Sequence, residues 1–159
     1  MAIEAPISNF RLKTLKIYAV ACVIGAAVLA YDGYLSKYSW SCRQNFYKEH
    51  VVDGKPDDTM IFNQVAPVPL LILGAMFMLR RRAIKTKKLI ADDSQLIIDN
   101  NEKIPYDSIE KIDKTNFKSN GYFVITYKDY GGKEINRKIS DRMYDNLEAI
   151  LNEAVSKIS

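Results

Sequence analysis

Histidine and cysteine are scarce in this chain of 159 residues: one histidine, His50, and two cysteines, Cys22 and Cys42. Cys22 lies in an apolar run and Cys42 in a loop, so they form neither a disulfide framework nor a metal-site spacing. His50 stands beside Glu49 and near Asp53, a grouping that reads as a solvated loop rather than a metal site. Glycine-rich phosphate loops, nucleophile elbows and Cys/His clusters are missing. No catalytic residue, cofactor or metal is therefore expected. Charge is missing too where it would matter most: Val65 to Leu79 contains no ionisable residue, which argues against a proton relay or transporter.

What is present is organised around residues 61–88, IFNQVAPVPLLILGAMFMLRRRAIKTKK. The apolar run stops at Arg80, Arg81 and Arg82, and Lys85, Lys87 and Lys88 follow at once. Hydrocarbon tolerates the first half and rejects the second, so the pattern is that of a membrane span with a cytoplasmic stop. The six basic residues are expected to act as a topology anchor and to meet anionic lipid headgroups. Pro67 and Pro69 should bend or delay the helix start, since neither supplies a backbone donor.

An earlier apolar run, Ile17 to Tyr31, is short for a span, but a helix over 12–35 has ample length. Ser8 or Asn9 could cap it, Lys13 and Lys16 could snorkel at one end, and Tyr31, Tyr34 and Tyr38 could sit at the other. A secretory signal peptide is the rival reading, with small residues at Val28-Leu29-Ala30; the aromatic continuation favours a retained span. Small residues at spacing four (Ala21 with Gly25; Cys22, Ala26 and Ala30) predict close packing against Gly74 and Ala75 of the second span.

Charge is unevenly divided. Residues 1–88 carry thirteen basic and six acidic side chains, whereas residues 89–159 carry ten basic and thirteen acidic. Positive charge flanks the apolar runs rather than lining a folded face, so a lipid bilayer is the expected partner and nucleic acid is not. The same bias places both termini in the cytoplasm and loop 32–60 outside.

After Lys88 the texture becomes alternating and polar. Gln95 to Asp99 reads as a strand with a turn at Asn100-Asn101, followed by Lys103 to Pro105 and then Tyr106 to Asp113. Tyr122 to Lys128 is β-branched and aromatic throughout, and Lys133 to Ile139 returns. Ser140 is expected to cap an amphipathic helix through Met143, Leu147, Ile150, Leu151, Ala154, Val155 and Ile158. Tyr106, Tyr122, Tyr127 and Tyr130 offer a possible protein-contact surface.

The phrases LIADDSQLIID, EKIPYDSIEKIDK, GYFVITYKD and KEINRKI, with a closing helix, resemble the bacterial pleckstrin-homology-like (PH-like) domains attached to membrane spans. The resemblance covers about residues 88–158 and implies a binding or assembly module without catalytic residues. It leaves the segment one strand short, to be supplied by linker 80–88 if present. The expected architecture is a two-helix transmembrane hairpin (residues 1–88, spans 12–35 and 61–79, basic linker 80–88). A cytoplasmic α+β PH-like domain follows (residues 89–159), an antiparallel bent sheet or partial barrel with a C-terminal helix. The expected function is a non-catalytic scaffold in the bacterial cytoplasmic (inner) membrane, with protein partners or self-association. An accessory subunit of a larger complex and an anionic-lipid or ligand sensor are the alternatives.

Overall fold

The computed structural model describes residues 2–129 and 131–158. It is an α+β fold with antiparallel sheets and two long apolar helical segments, divided into two compact units: Met1–Lys13 with Arg82–Ser159, and Thr14–Arg81. The first unit therefore takes in both flanks of the second. The N-terminal segment contributes strand β1 (Ile3–Pro6).

β1 pairs antiparallel with β4 (Lys88–Ala91) in the register Ile3↔Ala91 to Pro6↔Lys88. β5 (Gln95–Ile98) and β6 (Glu102–Pro105) complete a four-stranded sheet of order β1-β4-β5-β6. The first sheet thus takes one strand from the N-terminal segment and another that begins at Lys88, the last residue of the basic run. The β5–β6 turn uses Asp99 (φ 56°) and Asn100 (φ 62°), one residue earlier than expected. Both side chains tolerate the left-handed region that a tight hairpin needs. A three-stranded sheet, β7-β8-β9, follows: β7 (Ile109–Asp113), β8 (Tyr122–Lys128) and β9 (Glu134–Ser140).

Buried and partly exposed residues alternate along β4, β5 and β8, where Leu89, Leu96, Phe123 and Ile125 are fully buried, as is Ile104 of β6. The C-terminal helix spans Leu147–Ile158 and buries Leu147, Ile150, Leu151 and Ala154 against the first sheet. Ser140 does not cap it. Ser140 ends β9, and Tyr144 bridges to Ile7 before the helix begins. Asn146 holds φ 58°, turning the chain into the helix.

The second unit is helical. α1 runs Asn9–Ala30 and continues as a π-helical turn, Tyr31–Leu35, closed by Ser36 N–H donating to the Tyr31 carbonyl at 3.0 Å. Ser8 caps α1, its hydroxyl oxygen accepting from Phe10 N–H. α2 (Gln44–His50) and a two-residue hairpin, β2 (Val51–Val52) with β3 (Lys55–Pro56), fill the connection. α3 (Asp58–Val65) and α4 (Pro67–Lys85) form the second long segment. Pro67 opens α4, where a missing N–H costs least. The ladder hardly breaks: Ala66 N–H donates to Phe62 and Leu70 N–H to Ala66. α4 also continues through Arg80–Arg82, so residues 80–85 are helix rather than linker.

Candidate functional site

Among the described residues, two segments are long and apolar enough to cross a membrane: Asn9–Leu35, 27 residues, and Asp58–Lys85, 28 residues. Only 17% and 22% of their most apolar windows are buried. Side chains such as Ile17, Val23, Ile24, Val65, Leu71, Ile72 and Leu79 face outward. Helices of a soluble core hide such surfaces; these present theirs to the surroundings.

Where the segments meet, backbones approach closely. A Cβ on Gly74 would lie 3.3 Å from the Cys22 Cβ and 3.4 Å from the Ala19 carbonyl oxygen. One on Gly25 would lie 3.7 Å from Leu70 Cδ1. Tyr18 and Phe77 pack with ring centroids 5.6 Å apart. Leu15, Ala19 and Ala26 are buried, with Cys22, Gly25 and Ala30 half-buried beside them. Ala21 and Ala75, assigned to packing from the sequence, are exposed instead. The contact row steps 15, 19, 22, 26, alternating four and three, because 3.6 residues per turn carries a strict spacing of four around the helix.

The tightest contact lies at the ends of these helices. A Cβ on Gly33 would lie 2.6 Å from the Asn63 carbonyl oxygen, so only glycine fits. Tyr34 Oη donates to the Gln64 carbonyl at 2.7 Å, and Gln64 Nε2 donates back to the Gly33 carbonyl at 3.1 Å. Asp32, mostly buried, receives two hydrogen bonds from Arg43, Nε and Nη2 each at 2.9 Å. That charge-assisted fork raises the Arg43 pKa, chiefly through the hydrogen bond and then through charge. Asp57 caps α3 by accepting from Met60 N–H, and it also meets His50 Nδ1 at 2.7 Å. Hydrogen bonds from His50 and Met60 hold its carboxyl below the usual carboxylate range. Nothing in the sequence paired Asp32 with Arg43, because the pairing depends on how residues 36–43 fold back.

The basic residues separate into two groups. Arg80, Arg82 and Lys85 are exposed on α4, and Arg81 is half-buried. Lys87 Nζ lies 3.4 Å from Asp99 Oδ2, and Lys88 Nζ lies 2.7 Å from Glu4 Oε2. The last two lysines therefore tie the strand after α4 to carboxylates of its own unit.

The described tyrosines occupy different settings. Tyr106 is buried, and among the described residues its hydroxyl has no hydrogen-bond partner. Tyr127 is buried, with Oη donating to Glu102 Oε1 at 2.7 Å. Burial pushes both phenols up to about 12. Tyr122 sits on the opposite face of β8, its ring under Lys138 Nζ at 3.5 Å. Tyr130 lies outside the described residues. Of the three described tyrosines, two are packed rings and one is half-exposed.

A groove of about 620 Å³ runs beside Glu102, Pro105, Asp107, Glu110, Tyr127 and Lys128. Glu110 is paired with Lys128 at 2.6 Å, and Glu102 with Arg137 at 2.8 Å. No histidine or cysteine occurs anywhere in this unit. Among the described residues, no group of three or more His, Cys, Asp or Glu side chains is placed to hold a metal ion. Compared with known proteins, the chain matches no family model, no curated protein sequence and no solved structure.

Proposed function

We propose that the chain is a non-catalytic integral membrane protein whose PH-like β-module serves protein assembly. The observation that carries this reading is the pairing of β1 with β4. β1 precedes the first apolar segment and β4 follows the second, yet they are hydrogen-bonded neighbours. Residues 14–81 are therefore an insert that leaves a sheet and returns to it. An insert with two bilayer-length helices and outward apolar surfaces crosses twice and returns to its starting side. The basic residues Arg11, Lys13, Lys16 and Arg80–Lys85 flank that side, which favours the cytoplasm.

A four-stranded and a three-stranded antiparallel sheet followed by one helix support the PH-like reading of the other unit. Glu102, Glu110 and Asp129 are paired with basic side chains or a backbone donor, which suits a binding module better than an acid–base site. The net acidic balance of residues 89–159 favours protein over anionic lipid as what this unit contacts.

The test is the native mass and composition of the protein extracted in mild detergent. A homo-oligomer supports self-assembly, and stoichiometric larger subunits support the accessory role. A bare monomer that binds anionic vesicles through the β-module overturns the assembly reading in favour of lipid sensing.

A further inference from the structure

The segment after α1 keeps large aromatic side chains in the open on an ordered backbone. Trp40 is 64% exposed and Tyr38 44%, yet their rings stack with centroids 5.7 Å apart and planes 8° from parallel. Lys37 Nζ stands 5.2 Å from the Tyr38 ring centroid. Tyr34, also exposed, is pinned by its hydroxyl to the Gln64 carbonyl.

The backbone beneath is fastened throughout. Tyr38 N–H donates to Leu35, Ser41 N–H to Tyr38, and Ser41 Oγ to the Tyr31 hydroxyl. Ser36 Oγ donates to the Asp32 carbonyl, and the Asp32–Arg43 fork closes the loop. The stack covers one face of each ring, and most of this apolar surface still faces outward.

We propose that Tyr34, Lys37, Tyr38 and Trp40 form a prearranged lipid-interface platform that seats in the headgroup layer of the leaflet opposite the termini. This rests on the reading of residues 14–81 as membrane-spanning. The occupant follows from continuity. The outward surface is mainly aliphatic from Ile17 through Val28, with Tyr18 near its start, and becomes aromatic in the segment after α1, at Tyr34, Tyr38 and Trp40, with the cationic Lys37 among them. Hydrocarbon, interface and phosphate occur in that order across a leaflet. The spacing agrees: eighteen residues from Lys16 to Tyr34 rise about 27 Å, close to the roughly 30 Å of hydrocarbon between two interfaces.

Trp40 is the only tryptophan, so its fluorescence reports on the platform without mutation. The full chain is reconstituted in phosphatidylcholine–phosphatidylglycerol vesicles containing lipids brominated near the headgroup, at mid-chain or near the chain ends. Membrane integration is read separately by resistance to alkaline carbonate. The expected result is a carbonate-resistant protein that loses most of its emission to the shallow bromines, and progressively less to the deeper ones. Three results overturn the platform while leaving the spans standing. These are full quenching by aqueous iodide with none by bromolipids, quenching strongest near the chain ends, and protection from both quenchers. The last of these would mean that protein covers the patch. Release by carbonate with Trp40 unquenched by bromolipid overturns the spans as well.

Discussion

A single glycine sets how closely the two helical segments meet. At Gly33 the space for a side chain is taken by backbone atoms of Asn63 and Gln64, which cannot swing aside as a side-chain tip can. Gly33→Ala should therefore cost about 1–3 kcal/mol, the usual range for forced overpacking. Gly25→Ala meets only Leu70 at ordinary contact distance and should be close to neutral. Thermal unfolding of the detergent-solubilised protein separates the two; equal melting temperatures would remove the contact at Gly33 from the account. A second residue-scale expectation concerns Tyr106 and Tyr127. Burial, reinforced by nearby carboxylates, moves both phenols from the ordinary 10 to about 12. The folded state then holds these protons more tightly than the unfolded chain. That stability is complete below pH 10 and is lost as pH rises towards 12, on the order of 2 kcal/mol per group. Tyr106→Phe removes a buried hydroxyl that has no partner among the described residues. It should leave neutral-pH stability unchanged or slightly raised. Tyr127→Phe should lose about 1 kcal/mol with its bond to Glu102. Both substitutions should extend the alkaline limit, measured as the pH midpoint of unfolding by circular dichroism. An unmoved midpoint in both would refute the assignment.

Among the elements, β1 carries the most consequence for its four residues. Ala5 is fully buried between β4 and the C-terminal helix, whereas Glu4 is exposed and pairs with Lys88. Ala5→Asp would place an unpaired carboxylate in the core and should unfold the β-unit. Glu4→Ala should cost less than about 1 kcal/mol, as exposed ion pairs do. Hydrogen exchange across β4 and β5 checks both: retained protection in the aspartate variant would show that β1 is dispensable. This element was illegible in the sequence for a physical reason. IEAP is short and ends in proline, and its partner lies more than eighty residues away, so no local pattern marks it. β5 and β8 were legible because a period of two needs no partner to be seen. The C-terminal helix was legible by its apolar stripe but not by its start. Ser140 satisfies the rule for a cap, yet the register of β9 with β8 extends to Ser140 and claims it first. The basic residues 80–85 read as a linker because they end an apolar run. Arginine and lysine are good helix formers, and α4 simply continues through them.

For the whole molecule, the arrangement of strands around the insert constrains orientation more than hydropathy does. Two apolar segments alone are compatible with several arrangements. A sheet whose neighbouring strands flank both segments requires any crossings to be even in number. On the two-crossing reading proposed above, residues 36–57 emerge on the side opposite both termini, and the chain carries its own reporter there. Cys42 is exposed in that connection, while Cys22 is half-buried on α1 against Gly74. A membrane-impermeant maleimide added to intact cells should label Cys42 without detergent. A cysteine introduced by Ser156→Cys, at an exposed position of the C-terminal helix, should react only after permeabilisation. The reverse pattern would keep the hairpin and invert its orientation, against the positive charge around Arg80–Lys85. Labelling of both sites from the outside would place the termini and the loop on one side, so the apolar segments would not cross. Their outward faces would then have to be covered by protein instead of lipid.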